Sequence, residues 1–245
     1  VTTGFATATE KLYTVNLSSG ALTLVGAIGA GAGAYFGLTA ALNTITVGGS
    51  AGDDSVVVNA TGPSSGTYSL NGGPAVSFAN IASFSFIAGT GSDTLTINNP
   101  AGGLFAPTRG IDYQGGGQAG DSLNLLGGGG SAFNETYFVG TTTPPVVGAG
   151  NHGDGLIRFT GPTPVDIRFT GIATNIDTVA VARLTVNATD GANAISLTNA
   201  VVVPRVRVSV DAFEPIDFDN KTAVTVNAGD GVAGSDSADN IQVGF

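Results

Sequence analysis

The sequence predicts an all-β fold, and three observations carry the prediction. Apolar and polar residues alternate with period two in many short runs. No stretch has the length, period and caps of a helix; Thr39-Ala40-Ala41-Leu42 has helix-like composition and is too short. Glycines, 39 of 245 residues, collect between the alternating runs. The expected architecture is a β-solenoid or β-helix-like stack of short strands with Gly/Asp-rich turns, plus an N-terminal β-hairpin. Gly-rich β-sandwiches are the alternative.

Along the chain, Glu10 to Leu17, the turn Ser18-Ser19-Gly20, and Ala21 to Ile28 read as the hairpin. Gly29-Ala30-Gly31-Ala32-Gly33-Ala34 is low-complexity. A boundary near Asn43 divides an N-terminal hairpin and assembly segment, 1–42, from a Gly/Asp-repeat β domain, 43–245. Strands of 4–7 residues follow, among them Ser55-Val56-Val57-Val58-Asn59, Phe84-Ser85-Phe86-Ile87, Thr94-Leu95-Thr96-Ile97-Asn98, Leu184-Thr185-Val186-Asn187, Val206-Arg207-Val208-Ser209-Val210 and Val224-Thr225-Val226-Asn227.

A degenerate repeat precedes several of these strands. Its copies are 49–57 (GSAGDDSVV), 88–96 (AGTGSDTLT), 116–124 (GGQAGDSLN), 188–196 (ATDGANAIS, with Asn193 at the Asp position) and 234–242 (GSDSADNIQ). Glycine allows the sharp turn, Asp caps it through backbone N–H groups, and the next apolar residue points inward. A separate local duplication pairs Ile157-Arg158-Phe159-Thr160-Gly161 with Ile167-Arg168-Phe169-Thr170-Gly171.

Composition narrows the function. Net charge is −10, with eight lysines and arginines, so no basic surface for nucleic acid is expected. Charged residues make up 11% of the chain, which leaves solubility to Ser, Thr, Asn and Gly. No run of apolar residues is long enough for a transmembrane helix. Without cysteine there is no disulfide framework and no thiolate nucleophile. The lack of Met implies a processed product or a piece of a longer chain, and a removed secretory leader is one route to a start at Val1.

The Gly/Asp segments resemble the G-G-x-G-x-D-x-U-x calcium repeat of secreted bacterial RTX proteins. They are more similar still to its diverged forms in large secreted or cell-surface proteins of planctomycete-type bacteria. The resemblance spans 45–245 in style and five short motifs in detail. It implies an extracellular or cell-surface location, solenoid character and calcium. The copies here are irregularly spaced, whereas RTX arrays are tandem, so calcium requires the fold to stack the corners. The stretch Leu12 to Gly29 resembles one blade of bacterial surface propeller-like repeats, and one blade cannot bury its own face.

Candidate calcium ligands are Asp53, Asp54, Asp93, Asp121, Asp230, Asp236 and Asp239, with Asp190 beside them; turn capping is the competing role for each. The richest local cluster is 230–239. No catalytic residues are assigned. His152, the one histidine, reads as an exposed loop residue beside Asp154, and no strained nucleophile elbow is expected. The acidic stretch Asp211, Glu214, Asp217 and Asp219 reads as a solvated loop. Gly127-Gly128-Gly129-Gly130-Ser131 lacks the lysine and helix of a phosphate loop. Asn16, Asn59, Asn134, Asn187 and Asn220 start N-x-[ST] triplets. An intramolecular Lys–Asn bond would need a buried lysine beside an acid; only Lys11 and Lys221 have the side chain for it, and such a bond is not expected.

The expected function is a non-catalytic extracellular structural protein that self-assembles into a filament, sheath, surface layer or matrix by strand addition. Its N-terminal hairpin or final strand would do the adding, and deleting 1–28 is expected to abolish assembly. A calcium-stabilised adhesin or stalk module, with surface glycans among its partners, is the alternative. A polysaccharide-active β-helix enzyme ranks last, because Trp is absent and Tyr numbers five.

Overall fold

The computed structural model describes residues 11–15, 22–27, 43–144, 151–229 and 238–245. Thr39 to Leu42, Gly29 to Ala34, Asp230 and Asp236 lie outside them. No helix occurs among the described residues, and the fold is all-β.

Contacts divide the chain into two units, Val1–Ala41 and Leu42–Phe245. In the first, β1 (Lys11–Val15) pairs antiparallel with β2 (Leu22–Ala27), Lys11 opposite Ala27 and Val15 opposite Leu22.

The second unit holds two large sheets. In chain order its strands are β3 (Thr44–Gly48), β4 (Ser55–Gly62), β5 (Ser65–Leu70), β6 (Val76–Phe78), β7 (Ser83–Ile87), β8 (Thr94–Asn98), β9 (Ile111–Gln114), β10 (Ser122–Leu126) and β11 (Gly129–Val139). There follow β12 (Gly155–Thr160), β13 (Val165–Thr170), β14 (Thr174–Asp177), β15 (Ala180–Asn187), β16 (Ala194–Asn199), β17 (Val206–Val210), β18 (Ile216–Phe218), β19 (Lys221–Asn227) and β20 (Asn240–Gly244). The 10-stranded sheet runs β20-β16-β17-β18-β14-β10-β8-β4-β5-β6, and the 8-stranded sheet β19-β15-β11-β12-β13-β9-β7-β3.

The chain crosses repeatedly from the smaller sheet to the larger: β3 to β4, β7 to β8, β9 to β10, β13 to β14, β15 to β16 and β19 to β20. The arriving strands β4, β8, β10 and β14 lie side by side, each parallel to the next, β18 extends this run beside β14, and β20 lies parallel to β16. Antiparallel hairpins are inserted at β4–β6, β11–β13 and β16–β18. The local duplication at 157–161 and 167–171 forms one of them, with Ile157 opposite Ile167.

Period two explains the core. Every second residue of a strand points inward, and parallel in-register pairing turns those residues into columns. Val56, Leu95 and Leu123 form one column, and Val58, Ile97 and Leu125 another. Across from them stand Phe84, Ile111 and Ile167, then Phe86, Tyr113 and Phe169. All twelve are buried in one continuous cluster. The rings of Phe86 and Tyr113 stack at 5.3 Å. Burying a large apolar side chain contributes about 1.5–3 kcal/mol, so these columns contribute heavily to the stability of the core.

Candidate functional site

The crossings from the smaller sheet to the larger place the Gly/Asp segments. Ser55, Thr94 and Ser122, which open β4, β8 and β10, are in register. The residues just before them, Asp54, Asp93 and Asp121, therefore stack. The Asp54 N–H donates to Asp93 Oδ1 at 2.7 Å, and the Asp93 N–H donates to Asp121 Oδ1 at 2.8 Å. The same bond recurs where β16 and β20 begin: the Asn193 N–H donates to Asp239 Oδ1 at 2.8 Å. Asp53 runs the other way and accepts the Ser92 N–H at 2.8 Å.

Glycine is what lets these corners approach. A Cβ on Gly89, at φ +105°, would lie 2.2 Å from the Ser50 carbonyl oxygen, and one on Gly116, at φ +104°, 2.0 Å from that of Gly89. Neither backbone shape nor space admits a side chain there.

The stacked acids differ in environment. Asp54 accepts from Asn71 Nδ2 at 2.6 Å and from the Ser50 N–H and hydroxyl at 2.5 and 2.9 Å, and these bonds hold its pKa below the ordinary value. Asp93 is fully buried, and its Oδ2 has no hydrogen-bond partner. Burial raises its pKa, and the charges of Asp121, Asp54 and Asp53 add to the rise against the opposing Asp54 N–H. Among the described residues, no three acidic or imidazole side chains are grouped as a metal site. Asp53, Asp54, Asp93, Asp121 and Asp239 each accept at least one backbone N–H.

A second set of acids lies in the core. Asp177 occupies the column of Val58, Ile97 and Leu125, with Phe218 on its far side. Glu135 faces inward on β11 in phase with Phe133, Tyr137 and Val139, and pairs with Leu184 and Phe159. Lys221, at the start of β19, reaches both. Its Nζ lies 2.6 Å from Glu135 Oε2, 3.0 Å from Asp177 Oδ1 and 2.8 Å from the Val179 carbonyl oxygen. Side-chain exposure is 1% for Lys221 and 0% for both acids. The Val179 N–H donates to Asp177 Oδ1 at 2.7 Å. Glu135 Oε1 and Asp177 Oδ2 accept from no donor.

One ammonium against two carboxylates would leave a buried negative charge. Burial, above all, and then the Asp177 charge push the Glu135 pKa up, which favours its acid form, and the donor-less Glu135 Oε1 and Asp177 Oδ2 leave a place for that proton. Burial works against the Lys221 ammonium, and the Asp177 charge, with the hydrogen bonds to both carboxyl groups, outweighs it, leaving its pKa raised.

The remaining candidates disperse. In the acidic stretch, Asp211 accepts from Asn193 Nδ2 and the Ala194 N–H at 2.7 Å each, and Asp217 takes a bidentate pair from Arg207. Glu214 and Asp217 are buried, not solvated, because the apolar neighbours Phe213, Ile216 and Phe218 enter the core. His152 is exposed, with Nδ1 2.9 Å from the Ala212 carbonyl oxygen and its ring 5.0 Å from Phe213. His152 and Glu214 line a surface hollow of about 390 Å³ with Gln118. The pattern G-x-S-x-G occurs at 48–52 and 62–66, but it leads into β4 and into the β4–β5 hairpin, so neither makes the strand-to-helix elbow of a nucleophile. Of the asparagines in glycosylation triplets, Asn187 is buried and accepts from Asn227 Nδ2 at 2.7 Å.

Sequence reasoning missed the lysine-centred group. Its signal was a charged residue in the inward phase of an alternating strand, as in Phe133-Asn134-Glu135-Thr136-Tyr137.

No protein-family model matches this chain, and neither a curated protein nor a solved structure matches it.

Proposed function

We propose that the chain is a non-catalytic structural module of the cell surface or extracellular matrix that assembles with copies of itself, sheet edge to sheet edge. The observation that carries this reading is β20. It is an edge strand of the 10-stranded sheet, pairs with β16 alone among the described residues, and has all five residues exposed. Ile241 and Val243 are 53% and 65% exposed, and Phe245, just beyond, 74%. An edge strand without charge or proline is a template for another chain's backbone. β6, at the opposite edge of the same sheet, also exposes Val76. Edges at opposite ends fit head-to-tail contacts, which propagate rather than close.

The parallel in-register columns favour a solenoid over a sandwich. Each layer repeats the spacing of the last, and stability then comes from contacts between neighbouring layers. Asparagine ladders agree with it: Asn98 Nδ2 donates to Asn59 Oδ1 at 2.8 Å, and Asn227 repeats the bond to Asn187. The RTX-like corners support the extracellular setting. Calcium is not required by this reading, since each described corner carboxylate accepts a backbone N–H at one oxygen.

The test is assembly of the purified chain across concentration, by sedimentation and negative-stain electron microscopy. Polymers are expected from the wild type. Ile241→Lys with Val243→Lys should abolish them while leaving the circular dichroism spectrum and melting temperature unchanged. A wild type that stays monomeric throughout would overturn the proposal. Polymers that survive the double lysine change but not deletion of 1–28 would move the contact to the N-terminal hairpin.

A further inference from the structure

We propose that Lys221 and Asp177 join in an intramolecular amide bond, formed without any cofactor, with Glu135 relaying the protons.

The geometry supplies each part of the reaction. The nucleophile is Lys221 Nζ, held 3.0 Å from an oxygen of the Asp177 carboxyl group by three short contacts and a side chain with 1% exposure. Fixed proximity of this kind replaces a collision that is rare in solution. The acid–base group is Glu135. Its Oε2 touches Nζ at 2.6 Å, and its other oxygen is buried with no donor, as is Asp177 Oδ2. Two buried carboxyl oxygens that lack donors, on side chains that both contact one lysine, are satisfied by a proton shared between them. The electrophile is polarised by the Val179 N–H, which donates to Asp177 Oδ1 at 2.7 Å. The same N–H stabilises the oxyanion that attack on Cγ creates.

The starting state is an ammonium, a carboxylate and a carboxylic acid, neutral in sum. Moving a proton from Nζ through Glu135 to Asp177 gives a free amine and two carboxylic acids. In an apolar core this removes a buried ion pair, and burial, which disfavours the ammonium, favours the transfer. The amine lone pair attacks Asp177 Cγ. A second proton passes from nitrogen through Glu135 to Oδ2, the Cγ–Oδ2 bond breaks, and water leaves. The ammonium's three hydrogens end as one on the amide and two in that water; Glu135 returns to its acid form. No oxidant, reductant or activated group enters.

The product ties the end of β14 to the start of β19, which belong to different sheets. It also removes the charges that make the site costly. Lys221 is the residue whose burial the bond demands, and the surrounding Leu125, Phe218 and Leu184 exclude the water that would reverse it.

Intact mass spectrometry of the folded full chain tests this. The wild type should weigh one water less than its sequence. Trypsin should leave Lys221 uncut and release a branched peptide joining 169–183, in which Asp177 is the one acid, to 208–245. Glu135→Gln should keep the fold by circular dichroism, show the full sequence mass and be cut after Lys221. Asp177→Asn should form the same bond with loss of ammonia and so reach the wild-type product mass. Wild type of full sequence mass after long incubation at neutral pH would overturn the proposal. So would a branch to Glu135 in 110–158 or to Asn175, or undiminished bonding in Glu135→Gln.

Discussion

The corners and the core of this chain both bury carboxylates, and they neutralise them by different means. At the corners, Asp93 and Asp121 sit where the backbone turns, so unpaired N–H groups are at hand and a neighbouring layer donates them. In the core, Asp177 takes one backbone N–H, from Val179, and Lys221 is brought in from β19 to reach both acids. Backbone donors arrive with the fold and cannot be lost by substitution. A single lysine can. The corner acids are therefore the robust ones and the core acids the vulnerable ones.

The comparison breaks most readily at Lys221. Replacing it with Met leaves two acids buried without a cation, and unfolding in denaturant should show a loss of about 3–5 kcal/mol, typical of a severed buried pair. A loss under 1 kcal/mol would mean that the acids share a proton without help. The corner counterpart is Asp121→Ala, which strips one acceptor from the Asp93 N–H. Here the expected loss is about 1–3 kcal/mol, because a buried donor is left without a partner. A larger loss than at Lys221 would reverse the ranking.

The smallest effect is at Asp93. Its raised pKa means that the folded chain holds this proton more tightly than the unfolded chain. The associated stability is complete below the ordinary aspartate value and is lost as pH rises through the higher folded one. Asp93→Asn keeps the acceptor for Asp54 and removes the charge. Its melting temperature should exceed the wild type's by about 2 °C at pH 7, with the gap closing toward pH 4. Calcium titration sharpens the point. A calcium-dependent rise in wild-type melting temperature that Asp93→Asn abolishes would show that a cation, rather than a proton, answers the charge on Asp93.

Much of this was legible in the sequence and some was not. Period two marked strands at Ser55 to Asn59 and Thr94 to Asn98 because inward and outward residues there differ sharply in polarity. The Gly/Asp segments marked the corners because glycine and aspartate each have a steric or capping reason to be there. The acidic stretch misled, since Phe213, Ile216 and Phe218 decide its burial and its charges follow. Lys221, Glu135 and Asp177 were hidden for a topological reason. They lie 42 and 44 residues apart on three strands, and only the register of the stack brings them together.

The caps along the corners have a direction. The N–H of Asp54 waits for Asp93, that of Asp93 for Asp121, and that of Asn193 for Asp239, each a residue further along the chain, while Asp53 caps Ser92 in the opposite sense. In a chain made from its N-terminus, these three amides would stay bare until the later acid is in place, so the corners would be completed in chain order.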